Sequence, residues 1–350
     1  MKSLKNIIYF ILISRVFYCL FAIFVYSKFS QLGDTSGYLE GAYLYRNDFT
    51  STAYLMSLIG STLGNFGSAL LSILISTFSI VFLYLKLEPY LSSNGRRFFL
   101  FITITPSFGM WTSVYSKECI LLLFFSLAVG LLIDLCERKK ISLIRLVIVF
   151  AIVTFMKPHY SISLYLTLLV IYLDRSGVEG LYLLVLTIIC SALACFFAWY
   201  LSDTVYEYTQ LLSNSYFVNG ASTRENDFWL EQYDFFLYAP VGIVKSFIGP
   251  TLFEAVNRIM FMPYFLEGLF IFTSLVVFSY KSVFYKNKLN VFHLAIFLSF
   301  TLVLIFSHYP VGIMNPGSSI RYRSGFVFPM ICFILFIASN KYRCIAGRKD

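Results

Sequence analysis

Apolar residues run along this chain in blocks much longer than the alternating pattern of a surface helix or strand. Ile120 to Ile133, Ile162 to Leu173, Leu181 to Leu201 and Leu269 to Tyr280 hold no charged residue, and Val291 to Ser307 adds only His293. Such runs predict membrane helices, because about 20 apolar residues cross the hydrocarbon layer and a helix pairs its own backbone groups there. We read spans at 7–28, 68–87, 98–115, 119–135, 142–156, 160–173, 180–200, 260–280, 290–308 and 325–340. The segments 51–66 and 235–252 are too short for plain crossings and read as interfacial or re-entrant helices. The spans near 119–135, 142–156 and 160–173 are also short, which predicts tilt, thinning or broken helices.

The expected fold class is therefore all-α: a polytopic integral membrane protein of about ten transmembrane helices forming a single domain over 1–350. An outer loop at 29–67 would carry a re-entrant helix. A second at 201–259, with its larger part near 202–238, would carry interfacial helices. The start, MKSLKNIIYFILISRVFYCLFAIFVYSKF, imitates a signal peptide. Its apolar part is too long for one and lacks a small-residue cleavage site, so it reads as a retained first helix.

Composition agrees with the pattern: 59% of residues are hydrophobic and 13% charged. Soluble enzymes carry about 25% charged residues, so a two-domain soluble enzyme is excluded. The net charge of +9 is spread over short loops, and no dense basic patch suggests nucleic acid. Lys86, Arg96, Arg97, Arg138, Lys139, Lys140, Arg175, Lys281, Lys286 and Lys288, with the basic residues of both ends, fall on one side of the ten-span map. The preference of Lys and Arg for cytoplasmic loops then puts both termini in the cytoplasm. The seven Cys form no CxxC pair and read as small membrane-core residues.

The other side of this map holds the polar chemistry. Asp34, in QLGDTSGYLEG, stands at the rim of the first span, where a less hydrated carboxylate can act as general base for a sugar hydroxyl. Glu40 and Asp48 are alternatives, and a turn-capping Asp in a wet loop is the plain reading. Lys117 and Glu118 occupy a short turn after Pro106, Trp111 and Tyr115. Lysine there would hold a phosphate and glutamate would fix it or move a proton; a mere anchor for helix ends is the competing reading. Lys157 and His159 flank Pro158 in FMKPHYS and could bind phosphate or sugar, or serve as a snorkelling lysine and a structural histidine. No His lies close in sequence to another His or to Cys, so no zinc site is expected.

Residues 202–238 mix Asp203, Glu207, Glu225, Asp227, Glu231 and Asp234 with Tyr206, Tyr208, Tyr216, Phe228, Trp229 and Tyr233, and Arg224 is the segment's only basic residue. This suits a carbohydrate surface, or a small cap over the helices. Arg321 and Arg323, in NPGSSIRYRSG, would face one ligand if their segment were extended, and paired guanidinium donors suit the two phosphates of a lipid diphosphate.

GDTSGYL beyond the first span, PSFGMWTSVYSKE followed by FMKPHYS, and NPGSSIRYR before the last helix together resemble bacterial polysaccharide repeat-unit polymerases of the Wzy type. More distantly they resemble the GT-C membrane glycosyltransferases. The resemblance covers the layout of most of the chain. It implies an O-antigen or capsular polysaccharide polymerase of the bacterial inner membrane, with its active site facing the periplasm. Such an enzyme moves a growing glycan from undecaprenyl diphosphate to a sugar hydroxyl of a second lipid-linked unit. It implies Asp34 as base, with Glu118 the second catalytic candidate. Arg321, Arg323, Lys117, Lys157, His159 and Arg224 are then the candidates for holding substrate or diphosphate. A repeat-unit flippase and a chain-length regulator are the implied partners. No cofactor or metal is expected, because the lipid donor is already activated and no nucleotide-binding motif occurs.

Two other readings compete. One is a transferase adding a single sugar from a polyprenyl-linked donor; the other is a flippase or permease for lipid-linked oligosaccharide. Transport would call for charges through several helices, whereas Arg15, Arg145 and Glu267 are sparse.

Overall fold

The computed structural model describes residues 2–44, 51–215, 224–225, 227–285 and 288–339. Asp48, Tyr216, Lys286 and the basic tail Lys341, Arg343, Arg348 and Lys349 lie outside the described residues. The described chain is almost wholly helical. It opens with α1 (Lys2–Phe24), α2 (Thr35–Leu39), α3 (Ser51–Leu87), α4 (Ser93–Thr103), α5 (Pro106–Ser113) and α6 (Lys117–Cys136). Next come α7 (Leu143–Met156), α8 (Pro158–Arg175), α9 (Gly180–Tyr200), α10 (Ser202–Ser213), α11 (Asp234–Leu237), α12 (Ala239–Ile248) and α13 (Leu252–Asn257). The last are α14 (Met262–Val283), α15 (Val291–Ile296), α16 (Val303–Met314) and α17 (Pro316–Ala338), with a two-residue hairpin between α14 and α15.

Among the described residues, eight helical stretches are long and apolar enough to cross a membrane. This is a multi-pass membrane protein. Seven of the eight correspond to expected spans. The eighth, Ala239–Asn257, falls where only a re-entrant or interfacial helix was expected. Of the remaining expected spans, 98–115 is divided into α4 and α5, 142–156 forms the 14-residue α7, and 160–173 lies within α8. Residues 51–66 join the long α3, which bends at Gly64, whose φ of 65° and ψ of −174° favour a residue without a side chain.

Packing divides the chain into two compact units. The first comprises Met1–Asp134, Lys140–Pro158 and Ser324–Phe336; the second comprises Leu135–Lys139, His159–Arg323 and Ile337–Asp350. In the first, α1 packs on α3 and α5, and α2 lies on α3. In the second, α12 packs on α16 and α14, and α9 on α15.

Each unit contains a broken helix whose freed carbonyls are met by buried arginine. A helix end leaves its last carbonyls unpaired, and apolar surroundings offer no water to satisfy them. In the first unit, α4 stops before the extended Thr105, and Pro106 starts α5. Arg15 of α1, fully buried, donates to Thr103 O and, at 2.9 Å, to Thr112 Oγ1, while Tyr18 donates to Ile104 O. The intramembrane arginine at position 15 thus finds its partners in one helix-end carbonyl and two side-chain hydroxyls.

In the second unit, Gly249 (φ 96°) and Pro250 divide α12 from α13. The released carbonyls of α12 are taken by Ser319, which donates to Ser246 O, and by Arg323, which donates to Phe247 O and Ile248 O at 2.6 Å each. Space here is tight: a methyl group on Gly268 of α14 would strike the Ile248 carbonyl oxygen and approach Arg323 Nη1 to 2.8 Å. Gly268→Ala is therefore expected to cost about 1–3 kcal/mol, because backbone cannot give way as a side-chain tip can. A fall in the thermal midpoint of the detergent-purified protein checks this.

Candidate functional site

In the first unit the Asp34 loop, α2, the start of α3 and the connection between α5 and α6 meet around two tyrosines. Tyr38, Ala53, Met56 and Tyr115 form a buried cluster. Tyr115 donates to Met56 O at 2.9 Å, and its backbone O accepts from Thr35 Oγ1 at 3.0 Å. Burial pushes the Tyr115 phenol above its ordinary pKa, so it remains a neutral donor. Gly60 allows the close approach of α3, since a Cβ there would lie 2.7 Å from Tyr38 O and 2.9 Å from the Tyr115 ring.

Tyr38 joins two of the expected site residues. Its hydroxyl donates to Asp34 Oδ2 at 3.2 Å, and Lys117 Nζ stands 5.7 Å from its ring centroid. The hydrogen bond fixes the direction of the carboxylate, and the ring face attracts the ammonium. Asp34 and Lys117 are both partly buried. Ser116 caps α6 by accepting from Cys119 N at 3.2 Å, and buried Glu118 sits in the first turn, where a negative charge suits the helix dipole. Trp111 and Tyr115 are buried in this unit.

Residues flanking Asp34 in sequence, Leu32, Thr35 and Ser36, help line a cavity of about 450 Å³. Thr35, Ser36, Asn65, Ser68 and Tyr115 bring polar groups to its lining, and Ile23, Leu39 and Val114 bring apolar surface. A pocket with a few hydroxyl and amide groups on an apolar wall suits a sugar, which carries both kinds of face. Glu40 is exposed. Lys157 ends α7, partly buried, with its backbone N bonded to Val153 O.

The second unit holds the other expected residues, and it corrects the reading of three. Arg224 is enclosed within the protein. Nε bonds Glu254 Oε1 at 2.7 Å, and Nη2 bonds Glu254 Oε2 at 3.0 Å and Gly249 O at 2.7 Å. Nη1 bonds Gly312 O at 3.1 Å and Ile313 O at 2.7 Å. All five guanidinium N–H groups are thus matched by internal acceptors, so Arg224 ties the ends of α12 and α16 to α13 and has no donor left for a diphosphate.

Arg321 and Arg323 lie in the helix α17 and not in an extended segment. Two residues along a helix turn a side chain by about 200°, so the pair cannot face one ligand together. Arg323 is fully buried, with Nε and Nη2 lacking hydrogen-bond partners among the described residues, and Glu267 supplies opposing charge. Arg321 is partly exposed and lies 5.1 Å from the Tyr322 ring.

His159 packs edge-on to Tyr160 at 4.2 Å between ring centroids, and buried Tyr160 meets His308 Nδ1 at 3.0 Å. In the described part of the acidic-aromatic segment, two aromatic rings turn inward. Phe228 and Trp229 are buried, Trp229 Nε1 donates to Tyr309 Oη at 2.9 Å, and Asp203, Glu207 and Glu231 remain exposed.

Sequence reading passed over Tyr38, Glu254 and His308. Tyr38 follows Asp34 by four residues, one helical turn, which was a usable signal. Glu254 stands three residues after Thr251 in a capping box, another local signal. No protein-family model matches the chain, and neither the curated proteins nor the solved structures yield a match.

Proposed function

We propose that this chain is a polysaccharide repeat-unit polymerase of the bacterial inner membrane. It transfers a growing glycan from undecaprenyl diphosphate to a sugar hydroxyl of a second lipid-linked unit, at the periplasmic side. The observation that carries the reading is the meeting of Asp34 and Lys117 on Tyr38, in the unit whose hydroxyl-bearing cavity is lined by Thr35, Ser36 and Tyr115. Asp34 accepts the acceptor's hydroxyl proton as the new C–O bond forms. The old glycosidic C–O bond breaks with its electron pair passing to the diphosphate, and Lys117 offsets the charge that develops there. Lys157, of the same unit, is a further cation for the lipid diphosphate; Arg224 and Arg323 serve the fold.

The topology that goes with this reading has cytoplasmic termini. It counts α7 and α8 as short crossings and treats α12 and α13 as a segment that enters and returns, which preserves the alternation of basic loops.

Purified protein incubated with lipid-diphosphate-linked repeats should yield a ladder of products. A single added sugar would assign the simpler transferase, and movement across vesicles without covalent change would assign a flippase. Lys117→Gln should raise KM for the lipid-linked donor about tenfold, lower kcat and leave the thermal midpoint in place, the mark of a lost ligand contact. Unchanged kinetics would remove Lys117 from the site.

A further inference from the structure

A second cavity, of about 560 Å³, lies in the second unit along α12, the Gly249–Pro250 break and Phe265 of α14. Its wall is apolar, and Val241, Val244 and Leu252 are among its exposed lining residues. Lys245 is its only charged lining residue among those described. This lysine is half-buried, and among the described residues its ammonium has neither hydrogen bond nor ion pair, only the Phe228 ring at 5.8 Å from the centroid.

Among the described residues, no charge around Lys245 supplies a counter-ion in contact. Arg224, Asp227 and Glu254 are the groups that act on it electrostatically. Glu254 is engaged by Arg224 and by Thr251 N at 2.6 Å, and Asp227 is exposed. Nor does Lys245 serve the end of its own helix, whose carbonyls are held by Ser319, Arg323 and Arg224. A partly buried cation on an apolar wall, in a segment of membrane-spanning length, matches a ligand with one anionic head and a hydrocarbon tail.

We infer that this cavity seats a single-chain isoprenoid lipid phosphate, with Lys245 on the phosphate and the α12–α14 wall against the first part of the chain. The assignment of an isoprenoid chain rests on the proposed polymerase reading. The site names a cation, Lys245, outside the set singled out from sequence, in place of Arg224 and Arg323.

The full-length protein in detergent is titrated with a fluorescent polyprenyl phosphate, the matching polyprenol, phosphatidic acid and inorganic phosphate. We expect polyprenyl phosphate to bind tightest. Lys245→Gln should raise its Kd about tenfold, Lys245→Arg should stay within about threefold, and Val244→Trp, which fills the wall without touching charge, should also weaken it. Equal binding to wild type and Lys245→Gln, or equal binding of the polyprenol, overturns the phosphate site. Phosphatidic acid binding as tightly overturns the single-chain assignment, and inorganic phosphate doing so overturns the role of the wall. If Lys245→Gln loses its fold by thermal midpoint, Lys245→Arg and Val244→Trp decide. Binding that depends on Lys245 in a protein unable to transfer sugar would end the polymerase reading and leave the site standing. Transfer with binding indifferent to Lys245 would do the reverse.

Discussion

Asp34→Asn should lower glycan transfer by a factor of about 100 to 10,000 while leaving the protein folded, because a positioned general base contributes on that scale. Asparagine keeps the shape and can still accept from Tyr38, which donates to Asp34 Oδ2 at 3.2 Å. What it lacks is the capacity to take a proton. The effect should appear in kcat, with KM for the lipid-linked donor changed little, since the donor's charge is met by cations. Tyr38→Phe gives the companion measurement: it removes the hydrogen bond and preserves the carboxylate, so a smaller loss is expected. Single-turnover rates with purified lipid-linked substrates check both. Wild-type rates in a well-folded Asp34→Asn protein would remove Asp34 as the base.

The largest expected effect on stability falls at Arg224. Arg224→Ala removes the partner of Glu254 and the donors to Gly249, Gly312 and Ile313 carbonyls at once. Breaking a buried ion pair from one side costs about 3–5 kcal/mol; Glu254 is partly exposed and keeps the Thr251 N–H, so the lower end is expected. Loss of folded protein on extraction, or a steep drop in thermal midpoint, is the expected readout. Arg224→Lys should recover only part, since a point charge cannot serve five acceptors on three elements. Unchanged stability with reduced donor binding would restore Arg224 to the substrate site.

The parts of the fold legible in sequence are those fixed by local physics. The apolar runs at α6, α9 and α14 predict their helices because length and hydrophobicity decide insertion. Pro106 marks the break between α4 and α5 within the expected span 98–115, and the adjacent Gly249 and Pro250 mark that between α12 and α13. The meeting of Asp34 and Lys117 on Tyr38 depends on packing of α2 against α3 and the α5–α6 connection, over a separation no local pattern reports. Arg321 and Arg323 were read as ligand-facing because their segment, with Ser318, Ser319 and Gly317, looked like a loop. Carbonyls of α12, more than seventy residues away, let Ser319 and Arg323 sit inside a helix. Polar residues in a membrane segment therefore mark helix-end partners as readily as ligand sites, and the distinction lies in tertiary contacts.

The most direct measurement counts bonds. Wild-type protein, purified alone in detergent, is given lipid-diphosphate-linked repeats, and released lipid diphosphate is quantified against glycosidic bonds formed. The account predicts one diphosphate released for each bond, with both signals lost together in Asp34→Asn. Folded wild-type protein that forms no bond and releases no diphosphate from authentic lipid-linked repeats would contradict it.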